Sequence, residues 1–219
     1  MIEFINFMEI FFSRINYILF ILLGLVSITT ATAQDLNTGD LLFQIEGNGD
    51  FSEAIADATA SRDSLKFVHV GIIEISSDEE VILIEASPTY GVREIKLNDL
   101  SDKKRNGLLV IKRLNFEFPT QKVIKKARSY LGQPYDWSFL PDNEKMYCSE
   151  LIYESYEDCE GNKIFNTQPM NFRTPDGKMP VFWIKLFDEI GIEVPEGLPG
   201  KNPIDMAKDS RLIEIYRNF

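Results

Sequence analysis

Cys148 and His69 are the side chains on which nucleophilic chemistry could rest. The 219-residue sequence holds 2 cysteines and 1 histidine. A thiol and an imidazole are the minimal pair for covalent catalysis: the imidazole takes the thiol proton and later gives it to a leaving group. A single histidine excludes zinc sites built on paired histidines, and neither a metal nor an organic cofactor is expected. Cys148 follows the polar run Asp142-Asn143-Glu144-Lys145 and stands near the start of a segment, Met146 to Asp158, with Leu151, Ile152, Ser155 and Tyr156 at helical spacings. A helix start gathers partial positive charge and free N–H groups. Both favour a thiolate, and the N–H groups can donate to an oxyanion. An inert buried cysteine also suits that position. His69 lies between Val68 and Val70 in a β-branched run, with Gly71 following, where a satisfied core or surface histidine is the ordinary alternative. Glu85 interrupts the apolar run Val81-Ile82-Leu83-Ile84-Glu85-Ala86. A carboxylate there either faces water or has a buried partner. A turn at 76–80 would put position 85 roughly opposite 71, close enough to His69 to accept its ring N–H and fix its tautomer.

The elements that must position these residues follow from periodicity and turn chemistry. Strands are expected at Leu41–Gln44, Phe67–Ile75, Val81–Ala86, Gly91–Leu97 and Leu108–Leu114. Helices are expected over Phe51–Ala60, from Pro119 to Gly132, over Met146–Asp158 and over Val181–Ile190. Val123, Ile124, Ala127, Tyr130 and Leu131 would form the inner face of the second helix. The tail Leu212–Tyr216 reads as a strand or a helix turn. Strands followed by helices indicate an α+β domain with an antiparallel sheet packed against helices. A disulfide is not expected. Eleven residues along one helix separate Cys148 from Cys159 by about 16 Å, and a disulfide needs Cα atoms within roughly 7 Å. Cys159 then reads as a small buried or half-buried residue.

The N-terminus carries an address. Arg14 precedes the apolar run from Tyr17 to Val26, and Ala31-Thr32-Ala33 closes it with small residues. That order reads as a secretory signal peptide over 1–33, leaving a single domain over 34–219 that is exported to the periplasm or secreted. Met8 is an alternative start. The apolar stretch is shorter than the ~20 residues a spanning helix needs, so no stable membrane span is expected after signal removal. The formal net charge is −11. An acidic chain repels phosphate backbones, which excludes nucleic acid as a natural partner. Hydrophobic residues make up 44% of the chain, enough to argue against disorder.

Five segments in order complete the pattern: Gly39-Asp40-Leu41-Leu42-Phe43, His69-Val70-Gly71-Ile72, Ile84-Glu85-Ala86 with Gly91-Val92, Leu131-Gly132-Gln133-Pro134-Tyr135-Asp136, and Tyr147-Cys148-Ser149-Glu150-Leu151. Together they resemble the circularly permuted papain-like amidases of the NlpC type, the YiiX/YebB-like group. The resemblance implies a permuted papain-like fold, and permutation accounts for His69 preceding Cys148. It implies a cysteine amidase or peptidase with Cys148 as nucleophile, His69 as base and Glu85 as the polar third residue. It also suggests that Tyr135 and Tyr147 line the substrate site. The substrates it permits are a small peptide, an acylated amino acid or a lipid-like amide or ester. An acyltransferase on the same fold and a non-catalytic binding protein are the alternatives.

Overall fold

β-Branched and aliphatic residues in short runs build the sheet that carries His69 and Glu85. The computed structural model describes residues 36–45, 49–59, 65–100, 108–141 and 143–217; the expected signal peptide lies outside them. The described residues belong to one compact unit. Six strands pair antiparallel: β1 (Leu41–Ile45), β2 (Phe67–Ile75), β3 (Val81–Ser87), β4 (Gly91–Lys96), β5 (Leu108–Leu114) and, after the short strands β6 (Gln168–Pro169) and β7 (Pro199–Gly200), β8 (Leu212–Arg217). Their spatial order is β4-β3-β2-β1-β5-β8. The tail is therefore a strand, paired with β5. Among the described residues the helices are α1 (Asp50–Thr59), α2 (Thr120–Arg128), α3 (Cys148–Ser155), α4 (Val181–Ile190) and α5 (Pro203–Ala207).

Alternation along the strands divides the core. Phe43, Val70, Ile72, Ile84 and Val110 join Val123, Ile124 and Ala127 of α2 and Leu151 and Ile152 of α3 in the larger apolar cluster. Leu42, Ile73, Leu83 and Ile111 pack with Leu100 in a second. Leu151 and Ile152 are fully buried. Each such side chain contributes roughly 1.5–3 kcal/mol, which ties the helix bearing Cys148 to the cluster that holds β2 and β3.

Long-range pairing overrides the local helical pattern at both ends of that helix. The expected start at Met146 moves to Cys148 because Met146 is drawn into an extended bridge with Tyr135. Its N–H donates to the Pro134 carbonyl, and its own carbonyl accepts from Asp136. The helix ends at Ser155 rather than Asp158. Tyr156 leaves the helical region, its ring lies against Phe118 and Phe165, and its hydroxyl donates to the Gly39 carbonyl at 2.8 Å. Both thiols are free, as expected, but Cys159 is exposed. It sits beyond the helix, in a turn whose Asp158 carboxylate accepts from the Glu160 and Asn162 N–H groups. The predicted inner position of Leu131 is also corrected: α2 stops at Arg128, and Leu131 is exposed.

Gly91 fastens the loop after α2 to the sheet. Its φ is +68°, and a Cβ there would meet the Gln133 carbonyl oxygen at 2.2 Å. Next to it, Val92 N–H donates to the Gln133 carbonyl at 2.8 Å, and Gly132 N–H donates to Val92 O at 2.9 Å. Only glycine permits that approach. The loop so held carries Tyr135, which bridges to the strand-like segment leading into Cys148.

Candidate active site

Three adjacent strands and one helix start converge on a single imidazole. In the β2–β3 hairpin Ile72 faces Ile84 and Ile75 faces Val81, the register expected from a turn at 76–80. His69 and Glu85 then stand diagonally across the strand pair. The His69 ring Nε2 lies 2.7 Å from Glu85 Oε2, with both residues buried. The Cys148 side chain is near enough to the ring to raise its pKa. With Nε2 committed to Glu85, Nδ1 is the nitrogen left to face the sulfur. Gly71, next to His69, makes room for the neighbouring strand: a Cβ would come within 2.7 Å of Leu83 Cδ1 and 3.1 Å of the Ile84 carbonyl.

The electrostatics of the ring follow from its partners. Burial is the largest influence on His69 and pushes its pKa down. The hydrogen bonds to Cys148 and Glu85, with the negative charge of those groups, outweigh it and raise the value from 6.5 to about 9. The imidazolium is therefore the favoured form at neutral pH.

Cys148 is the first residue of α3 and is itself buried. Tyr147, the residue before it, is extended, and its N–H donates to Glu150 Oε2 at 3.3 Å. The N–H groups of Cys148 and Ser149 follow at the helix start, where no carbonyl four residues back can take them. Ser149 Oγ donates to the Lys201 carbonyl at 3.0 Å, and the Lys201 N–H donates to the Tyr147 hydroxyl at 3.3 Å. These bonds bring the segment around β7 against the start of α3. Gly200 makes that approach possible, since a Cβ there would sit 2.5 Å from Met170 Cγ and 3.2 Å from the Tyr147 hydroxyl.

A cavity opens beside Cys148. Tyr135 and Tyr147 both line it, together with Phe139, Met170, Phe172 and Trp183. Burial, the main cause, raises the pKa of both phenols and keeps them protonated. The cavity is narrow, with about 40 Å³ of open volume. A wider groove between α1 and α4, lined by Asp50, Glu53, Asp57 and Glu189, includes neither Cys148 nor His69 in its walls; Cys148 lines the smaller cavity.

Two parts of the site escaped the sequence reading. Arg93 of β4 stands directly opposite Glu85 in the β3–β4 pair, and its Nε and Nη2 donate to Glu85 Oε1 at 2.8 and 2.5 Å. The short turn between β3 and β4 was the signal that could have found it. The cavity walls Met170, Phe172 and Trp183 come from segments far along the chain, with no local pattern tying them to Cys148.

An antiparallel sheet presenting histidine and glutamate to a cysteine at a helix start defines a papain-like cysteine hydrolase type of architecture. The order of the residues along the chain, histidine before cysteine, makes it a permuted one. The chain belongs to the permuted papain-like amidase enzyme family, YaeF/YiiX, C92, which it matches over residues 35–216. It is 29% identical over 178 residues to the uncharacterized protein YiiX of Escherichia coli (strain K12), covering 80% of this chain and 83% of that one. The crystal structure of metalloprotein YiiX from Escherichia coli O157:H7 superposes with a TM-score of 0.68 at 25% identity, over 84% of this chain and 99% of that one. Among the described residues the donor set does not fit a metal ion. Among the described residues no group of three or more His, Cys, Asp and Glu side chains is arranged to hold one, and the Glu85 oxygens are already bonded to His69 and Arg93. Among the described residues no helix is long and apolar enough to cross a membrane.

Proposed function

We propose that this protein is an exported cysteine amidase of the NlpC type, with Cys148 as nucleophile, His69 as general base and acid, and Glu85 as the group that orients the imidazole. The observation that carries this reading is the His69 ring, hydrogen-bonded to Glu85 at 2.7 Å and raised in pKa by the neighbouring Cys148 side chain. The Cys148 thiolate attacks the carbonyl carbon of an amide or ester. The oxyanion forms next to the N–H groups of Cys148 and Ser149, which can donate to it. As the C–N or C–O bond breaks, the His69 imidazolium passes its proton to the leaving group, and a thioester remains on Cys148. Water then attacks the thioester while His69 takes its proton. The C–S bond breaks, the acid is released, and the Cys148 thiolate and the His69 imidazolium that kept the proton of water stand again as the starting pair. Export follows from the Arg14, apolar and Ala31-Thr32-Ala33 sequence.

The acyl side of the substrate is apolar and slender. The walls Phe139, Met170, Phe172 and Trp183 supply apolar surface beside Cys148, and the small open volume admits only a slender group. Among a small peptide, an acylated amino acid and a lipid-like amide or ester, the cavity favours the last two. Tyr135 and Tyr147 line it as neutral phenols.

A p-nitrophenyl ester series from acetate to decanoate tests the reading. The expected result is a kcat/KM that climbs with chain length, by at most about fourfold per methylene, and a covalent acyl adduct on Cys148 in quenched samples. Turnover by Cys148→Ala equal to that of the unaltered chain would overturn the nucleophile. Adding an amine acceptor separates hydrolysis from acyl transfer: free acid is expected, and an accumulating amide would assign the alternative acyltransferase.

A further inference from the structure

We propose that Arg93 is a positioning residue of this site, acting on His69 through Glu85; the inference rests on the reading of Cys148 and His69 given above. The three residues lie on consecutive strands of the sheet, Arg93 on β4, Glu85 on β3 and His69 on β2. Glu85 is 1% exposed, so its carboxylate depends on protein donors in place of water. Oε2 meets the imidazole at 2.7 Å, and Oε1 takes two guanidinium N–H groups at 2.8 and 2.5 Å. The carboxylate plane is thereby gripped from both ends. This matters because the terminal torsion of a glutamate is broad and fixes little by itself. Arg93 is held in turn. Its guanidinium lies 4.4 Å from the centroid of the Tyr90 ring, an arrangement that shields one face of the cation.

Other ion pairs on the same strands differ in kind. Lys96 with Glu80 and Arg128 with Glu94 are solvent-exposed, and such pairs contribute little. Arg93 bonds a buried carboxylate that bonds the imidazole. Without it, Glu85 Oε1 loses the two guanidinium bonds that hold it. The carboxyl then turns toward water or takes up a proton, and either change loosens its hold on the ring.

One property of the chain makes the test clean: His69 is its only histidine. In protein freed of any affinity-tag histidines, the ring nitrogens of His69 can be followed by NMR as a single titration. The unaltered chain should titrate near the raised value of about 9. Arg93→Gln is expected to lower the midpoint, because the lost grip on Glu85 outweighs the removal of a nearby cation, which alone would raise it; Arg93→Lys should fall between the two, and a raised midpoint, the sign of lost charge alone, would overturn the proposal. In the background of Glu85→Gln, the further change Arg93→Gln should lower the midpoint no more, because the route through Glu85 is already broken. An Arg93→Gln midpoint equal to that of the unaltered chain would overturn the proposal, as would the same further drop with and without Glu85. If Arg93→Gln does not fold, Arg93→Lys decides alone: a lowered midpoint supports the proposal and an unchanged one overturns it. Cys148→Ala keeps this result apart from the parent reading. If that variant leaves the midpoint in place, the Cys148–His69 pairing fails while the Arg93 comparison still stands.

Discussion

His69→Ala lowers turnover of a cleavable acyl ester by roughly 10²- to 10⁴-fold, the range that one positioned acid–base group supplies. The size of the effect follows from the double duty of the ring. In the proposed mechanism it faces Cys148 before attack, and, with its pKa raised, it holds the proton that the leaving group needs. No other histidine can substitute. Glu85 in the variant keeps its two bonds from Arg93, so the sheet should retain its register. Steady-state rates checked against denaturant unfolding separate lost chemistry from lost fold. A variant within about threefold of the unaltered rate would remove His69 from the mechanism, since that is far below the contribution of a general acid.

Glu85→Gln is the second large effect, with a pH signature. The amide keeps the shape of the carboxylate and loses its charge. Turnover should fall roughly 10²- to 10⁴-fold, because the imidazole loses the acceptor that fixes its tautomer and stabilises its cation. In the unaltered chain, His69 sits above its ordinary value, at about 9, so the imidazolium needed for leaving-group protonation disappears as pH rises through about 9. Without the anion, burial acts with less opposition, and the alkaline limb of the rate profile moves to lower pH. Stability carries the same sign. A folded-state value raised above 6.5 contributes stability that is fully present below pH 6.5 and lost as pH rises through about 9. Unfolding free energies measured from pH 6 to 9.5 should therefore fall more steeply for the unaltered chain than for Glu85→Gln. Parallel curves would show that Glu85 does not hold the proton on His69.

Hairpin geometry made part of this site legible in the sequence. The turn at 76–80 puts position 85 opposite 71, and the observed pairing of Ile72 with Ile84 has the same register. Cys148 at a helix start was legible from the 3- and 4-residue spacing of Leu151, Ile152 and Ser155. The ends of that helix were not. Met146 has helical neighbours but is captured by Pro134 and Asp136, and Tyr156 is captured by Gly39, Phe118 and Phe165. These are tertiary contacts, which local periodicity does not encode. Cys159 was misplaced for the same reason, since the helix that was to carry it stops four residues earlier. Arg93 was hidden by the weak alternation of Gly91 to Leu97, which left the facing of that strand open. The walls Met170, Phe172 and Trp183 reach the cavity only after the chain has folded back past Gly200.

The two cysteines offer the most direct measurement of the central claim. Cys148 is 3% exposed, whereas Cys159 is exposed at the surface. If access alone governed reactivity, Cys159 would be alkylated first. If His69 and the start of α3 activate Cys148, limiting iodoacetamide at pH 6 modifies Cys148 ahead of Cys159, because alkylation follows the thiolate. Peptide mass mapping reads the order. The account predicts an adduct on Cys148 first, and loss of that preference in His69→Ala. Modification of Cys159 first, with Cys148 left intact, would contradict it.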